Sequence, residues 1–365
     1  MRVCHVVRQY HPSVGGLETF VATLAASLNE LGCESSVLTL DRQFRNIHGK
    51  LSSSQLINGV EARRVPMFGH PRFFLPLFDD AALAGFDVIH VHGIDGMFDR
   101  LARYRRRPGQ VLVATTHGLF FHTPWMLPVK RAYLHTATRL AASRYDLIIA
   151  NSASDLQRVR AVSDDVVLLP NAVTRLGAFK AEGRDLLALG RLARHKHVER
   201  IVAAMAQPAL RDVRLHVVGP EWDVTLLQLA QLSHRLGVSE RVQLHGPLDR
   251  ARLAAVARQC GVFASASSYE GFGMSLVEAM SVGLVPVVQS NAAFVELMSN
   301  ANVGALTDFT RLDAAARALR GALDALDPLQ RERAMAYAQN FAWPQHAETT
   351  LKLYRNARDA RLRAA

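Results

Sequence analysis

The chain has 365 residues, of which 49% are hydrophobic and 21% charged, and its formal net charge is +11. That length exceeds one ordinary core and predicts two domains, while the composition excludes a disordered or fibrous chain. No apolar run approaches the roughly 20 residues of a membrane span, and Cys4, Cys33 and Cys260 lack the paired spacing of a disulfide framework or a cysteine-built zinc site.

In chain order, RVCHVV reads as a strand, and the lack of a signal-peptide apolar core in MRVCHVVRQYHP predicts a cytoplasmic protein. The loop PSVGGLE follows, then the helix ETFVATLAASLNELG, apolar at three- and four-residue intervals and stopped at Gly32. SSVLTL is the next strand. PRFFLPLF (71–78) is an apolar, proline-broken stretch. FDVIHVHG, VLVATTHG and DLIIANS read as buried strands ending in small or polar residues, and VVLLPNAV follows them. A second series begins near Arg184: DLLALGR, RLHVVG, VQLHG, GVFASAS and LVPVVQS, separated by helical patterns.

This twofold βαβ alternation predicts two doubly wound, Rossmann-like α/β domains facing a cleft. The expected boundaries are 1–173 for the first domain, 174–183 (TRLGAFKAEG) for a linker, 184–343 for the second domain and 344–365 for a C-terminal helix. Ligands in such sheets bind beyond the carboxyl ends of the strands, so the polar residues there carry the chemistry.

Three motifs occupy such positions. In PSVGGLE, Gly15 and Gly16 let backbone approach a ligand at a helix N-terminus, which favours an anion; the residues alone leave a plain tight turn open. The absence of G-x-G-x-x-G removes the signal for a nicotinamide cofactor. In GRLARHK, Arg191 and Lys196 pair a guanidinium fork with a compact charge at the start of a helix, as a diphosphate site needs, or they are an ordinary surface pair. In EGFGMSLVE, Glu270 precedes a helix and Glu278 lies about two turns inside it. The two acids suit opposite ends of one elongated ligand, with the amides of Gly271, Phe272 and Gly273 at the same mouth; a capping acid and an exposed helical acid are the plainer readings.

E-x7-E beginning EGFG, GR-x4-K upstream and GG after the first strand together resemble the retaining glycosyltransferases of family 4, which have the GT-B fold, and the likeness covers nearly the whole chain. It implies a C-terminal helix returning to the first domain. It implies that Gly15, Gly16, Arg191 and Lys196 serve the donor diphosphate, that Glu270 with Gly271, Phe272 and Gly273 holds the donor sugar, and that Glu278 holds the ribose. His117 in TTHG then lies beside the transferred sugar, and LHGPLDR (244–250) approaches the base. No metal or other cofactor is expected, because Arg191 and Lys196 do a cation's work at the departing diphosphate. A donor phosphate oxygen would assist deprotonation of the acceptor, and Glu270 would position the sugar.

HVVRQYHPSVGG, HVHGIDGMFD and TTHGLFFHT resemble, more narrowly, mannosyltransferases of xanthan- and acetan-type exopolysaccharide synthesis. Those use GDP-mannose and add an α-1,3-linked mannose to cellobiose on polyprenyl diphosphate. Arg8, His11, Asp95, Asp99 and His122 are the acceptor-side candidates. The expected partners are thus the nucleotide sugar, the lipid-linked acceptor and an anionic membrane surface, with the enzyme peripheral at the inner face of the cell membrane. The basic run RLARYRRR (100–107), PRFFLPLF and PVKRAYLHTATRLAASR fit that surface, or are a solvated helix end and packed segments. No nucleic acid is expected, since aromatics are not interleaved with the charge. The alternatives are a family 4 transferase using UDP-glucose or UDP-GlcNAc, a nucleotide-sugar epimerase, or a basic membrane- or nucleic-acid-binding protein without turnover.

Overall fold

The computed structural model describes residues 1–13, 15–44, 46–71, 73–119, 128 and 132–364. It divides into one unit of Met1–Ala172 with Trp343–Ala365 and a second of Val173–Ala342. No helix among the described residues is long and apolar enough to cross a membrane.

In the first unit, the strands run in the order Val166–Leu168, Leu147–Ala150, Val111–Thr115, Val88–His92, Arg2–Val7, Glu34–Leu40, Val60–Val65 and Ser54–Ile57. Every neighbouring pair is parallel except the last. Val88–His92 and Val111–Thr115 are buried along their whole length, as strands covered on both faces must be. The helix Gly16–Glu30 starts two residues before the expected ETFVAT and buries Phe20, Val21, Leu24, Ala25 and Leu28. The last helix, Trp343–Ala364, adds Leu351 and Tyr354 to the same core as Phe20, Leu24 and Leu28, so the C-terminus does return to the first unit.

The second unit is an all-parallel sheet ordered Val242–Gly246, Leu215–Val218, Asp185–Leu189, Cys260–Ser265, Val285–Gln289 and Ala305–Thr307. Numbered within the unit, this is the 3-2-1-4-5-6 order of a Rossmann sheet. Its switch point falls between Asp185–Leu189 and Cys260–Ser265, where the chain crosses from one flank of the first strand to the other.

The linker expectation for 174–183 is corrected. Leu176, Phe179 and Ala181 are buried in the core of the second unit. The Ala181 amide donates to the Val282 carbonyl at 2.7 Å, and that of Leu176 to Ser281 Oγ at 3.2 Å. Three apolar side chains at intervals of two and three residues outweigh the soft composition around them. Within PRFFLPLF, Phe73–Pro76 pairs with Met67–His70 in a hairpin, and Arg72 lies outside the described residues. Of PVKRAYLHTATRLAASR, Val129, Lys130 and Arg131 lie outside the described residues; Leu134–Thr138 and Arg139–Ala142 are helical.

Candidate active site

The switch point of the second unit gathers the two motifs that sequence spacing leaves far apart. Strand Asp185–Leu189 ends at Gly190 (φ 140°), beside Gly219 (φ 148°). A Cβ on Gly219 would collide with the Gly190 carbonyl, so two strand ends approach as only glycine permits. Arg191 follows, exposed, its guanidinium 4.9 Å from the ring centroid of Trp222. Lys196 closes a 3-10 turn, Arg194–Lys196, and stands two residues before the helix Val198–Ala204, separated from it by the N-cap His197.

Glu270 comes from the loop after Cys260–Ser265, the adjacent strand. Lys196 Nζ donates to its Oε1 at 2.6 Å and to its Oε2 at 2.8 Å. Both side chains are mostly covered, 17% and 9% exposed. The loop is held from behind: Ser268 N donates to the His195 carbonyl (2.8 Å), Ser267 Oγ to the Tyr269 carbonyl (2.8 Å) and Asn291 Nδ2 to the Ser267 carbonyl (2.8 Å). Gly190, Arg191, Lys196 and Ser265 line one pocket.

Gly271 is half-buried, while Gly273 (φ 100°) caps the helix Met274–Met280, where a Cβ would press on Phe294 and Leu297. Phe272 turns its ring into the core, edge-on to Phe341 at 5.4 Å. Glu278 lies about one turn inside that helix, not two, because the helix starts only at Met274. Burial pushes its carboxyl up to about 7, against the pull of Arg250. Arg250 opens the helix Arg250–Gln259 and donates to the Arg175 carbonyl.

In the first unit, Gly15 is the extended N-cap of Gly16–Glu30 and Gly16 its first residue, with open space where a Cβ would stand. His117 ends the turn after Val111–Thr115 in the left-handed region (φ 51°), which a non-glycine residue enters only when its surroundings hold it there. Its amide donates to Asn151 Oδ1 at 2.8 Å, and Asp155 accepts from Thr116 Oγ1 (2.7 Å) and Gly118 N (3.1 Å). The His117 ring stands edge-on to Phe20 at 4.7 Å.

A row of imidazoles runs inward from His117, and sequence reasoning did not assign it. His117 Nε2 lies 3.0 Å from His92 Nδ1, and His92 Nε2 lies 3.0 Å from His5 Nδ1. Beside them His90 bridges Tyr354 Oη and Thr115 Oγ1, both at 2.6 Å. Burial lowers all of these rings, His5 and His117 to about 3, so they are neutral and each carries one proton. His5 Nε2 is buried without a partner. An orphaned N–H is rarer than an orphaned acceptor, so the hydrogen-bond network assigns the protons to Nδ1 of His5 and His92. His117 Nε2 then accepts, and His117 offers Nδ1–H. The available signal was the i, i+2 pair in HVH, two polar rings on one face of an otherwise apolar strand.

Of the acceptor-side candidates, Arg8 and Asp95 come together at the switch point of the first sheet, after Arg2–Val7 and Val88–His92, with Arg8 Nε 3.8 Å from Asp95 Oδ2. Asp95 also caps Gly96–Leu101 through Met97 N (2.9 Å), and burial raises its carboxyl. Asp99 accepts from Tyr133 Oη at 2.5 Å and is raised by burial too. His11 is exposed, and its carbonyl accepts from Arg64 Nη2 at 2.8 Å. His122 lies outside the described residues.

Residues 177–341 match the family described as Glycosyl transferases group 1, and residues 14–175 match Glycosyltransferase Family 4. The GDP-mannose:cellobiosyl-diphosphopolyprenol alpha-mannosyltransferase of Xanthomonas oryzae pv. oryzae is 33% identical over 94% of this chain and 93% of its own length. The protein of that description from Komagataeibacter xylinus is 31% identical over 97% and 93%. Among solved structures, sucrose-phosphate synthase from Thermosynechococcus elongatus superposes with a TM-score of 0.75 at 18% identity, covering 99% of this chain and 100% of that one. Anabaena HepE in complex with UDP gives 0.74 at 18% identity, covering 98% and 100%.

Proposed function

The chain belongs to glycosyltransferase family 4, and from that membership we propose that it moves mannose from GDP-mannose to cellobiose carried on polyprenyl diphosphate, forming an α-1,3 linkage with retained configuration. The observation that carries the donor half is the meeting of Arg191, Lys196 and Glu270 at the switch point of a Rossmann sheet.

Arg191 and Lys196 hold the donor diphosphate and stabilise the charge that grows on it as the glycosidic bond breaks. Glu270 is then shared between Lys196 and hydroxyls of the hexose, with the Gly271–Gly273 main chain beside it. Glu278 takes the ribose. His117 serves the sugar through its Nδ1–H, and Gly15 and Gly16 serve the diphosphate. Because two fixed cations do this work, turnover needs no metal and survives chelation.

Arg8, Asp95 and Asp99 serve the acceptor, with His11 and His122 on the same side of the reaction. Arg8 suits a diphosphate, and the raised carboxyls of Asp95 and Asp99 suit sugar hydroxyls. The enzyme works at the inner face of the membrane that holds its acceptor.

The test offers the purified protein GDP-mannose, UDP-glucose and UDP-GlcNAc, each with synthetic lipid-linked cellobiose and with a chelator present. Transfer of mannose alone, as an α-linked product by NMR, is expected. Transfer from a UDP donor, epimerised sugar, or no product would overturn the reading.

A further inference from the structure

The hairpin Met67–His70 with Phe73–Pro76 has one covered face and one bare face. Its register pairs Phe68 with Leu75 and His70 with Phe73, so these four side chains share a side. Phe68 is 74% exposed, Phe73 80% and Leu75 46%. The other side carries Met67 and Phe74, both buried in the core of the first unit. Phe74 braces the hairpin against Gly96–Leu101: its carbonyl stands so close to Gly96 that a Cβ there would collide. Two large aromatic rings and Leu75 are thus displayed on one side of a buttressed ribbon.

Basic charge is tied to the root of this ribbon. Arg100 lies over the Phe78 ring at 4.6 Å and donates to the Phe78 carbonyl (3.0 Å) and to Asp80 (2.7 Å). The Arg105 amide donates to Asp80 Oδ2 at 3.1 Å. Arg103, Arg105 and Arg107 are exposed. A bare apolar face with exposed arginines tied in near its root matches the two layers of an anionic bilayer surface, acyl boundary and headgroups.

We infer that the Phe68–Phe73 face of the hairpin inserts into the interfacial layer of an anionic membrane, with Arg103, Arg105 and Arg107 on the lipid headgroups. This deepens the acceptor half of the proposed function and rests on it for its purpose. Phe44 packs on Phe74 at 5.7 Å, and Arg8, the partner of Asp95, lies 5.9 Å from the Phe44 ring. The buried face of the hairpin is therefore one ring away from the residues assigned to a lipid-linked diphosphate, and insertion brings them to the depth of that group.

The experiment is sedimentation of the whole protein with vesicles of phosphatidylcholine alone or with phosphatidylglycerol added. Wild type should bind the anionic vesicles, and Phe68→Ser/Phe73→Ser should bind them at least roughly tenfold more weakly. Arg103→Gln/Arg105→Gln/Arg107→Gln should lose the preference for phosphatidylglycerol. Both variants should keep wild-type turnover on a short-chain, water-soluble cellobiosyl diphosphate, which shows that they fold. Equal vesicle binding by wild type and the serine variant overturns the inference. So does a wild-type dimer in analytical ultracentrifugation that the serine variant converts to monomer, since the face would then meet a second copy. Absence of mannosyl transfer by wild type would count against the proposed function and leave the vesicle result standing.

Discussion

Lys196 Nζ sits between the two carboxylate oxygens of Glu270, 2.6 Å from one and 2.8 Å from the other, although 74 residues separate them. The pair is largely covered, so each charge depends on the other. A donor diphosphate would compete with Glu270 for the ammonium. The pair therefore holds Lys196 in place before the donor binds.

Lys196→Ala should lower kcat by about 10²- to 10³-fold, the usual cost of losing a group that stabilises transition-state charge. It should also cost roughly 1–3 kcal/mol of stability, because it leaves the Glu270 carboxylate covered and unpaired. Lys196→Ala/Glu270→Gln should recover part of that stability and none of the turnover. Urea unfolding and steady-state kinetics on wild type, Lys196→Ala, Glu270→Gln and the double variant check this; additive stability losses would mean the two groups are not coupled.

Glu278→Gln should separate stability from binding. The folded carboxyl titrates near 7 against an ordinary 4.5. Below pH 4.5 it is protonated in both states and the substitution changes little. Between those values the unfolded chain ionises first, so stability falls as pH rises, and above 7 the penalty is complete at up to about 3 kcal/mol. The variant should therefore unfold at higher temperature than wild type at pH 8 but not at pH 4. Calorimetry with GDP should show weaker binding.

At position 117 the backbone and the ring can be tested apart. With φ at 51°, His117→Gly keeps the turn at no steric cost, whereas His117→Ala adds roughly 1 kcal/mol of strain. The glycine variant should be the more stable of the two, and both should lose turnover. Nitrogen-15 NMR of wild type should report His117 protonated on Nδ1. A proton on Nε2 would reverse the direction assigned to the imidazole row.

The buried histidines should make the fold sensitive to acid. His5 and His117 are lowered to about 3 and His346 to about 4. The unfolded chain takes up their protons near 6.5, so stability is full above that value and declines as pH falls toward the folded values, by about 1.4 kcal/mol per pH unit for each ring. His5→Asn should reduce that slope by about one proton, read from unfolding free energies between pH 6.5 and 4.5.

The local setting of each motif was legible in the chain. Strand, loop and helix alternate within short windows, and GR-x4-K and E-x7-E each follow one strand directly, so their places at strand ends needed no tertiary knowledge. Composition misled at 174–183, where Thr174, Gly177, Lys180 and Gly183 advertise a linker while Leu176, Phe179 and Ala181 fill a core. Pairing decisions were invisible in the sequence. Lys196 meets Glu270 because Cys260–Ser265 lies beside Asp185–Leu189, and His5 meets His92 because Arg2–Val7 lies beside Val88–His92. The sidedness of PRFFLPLF was equally hidden, since its adjacent Phe73 and Phe74 point to opposite faces and either could be the covered one until Gly96–Leu101 packs against Phe74. Propensity and spacing act over a few residues, and these the chain determines alone. Which strands become neighbours, and which face of a ribbon is left bare, depends on burial shared by segments tens of residues apart, and only the tertiary structure decides it.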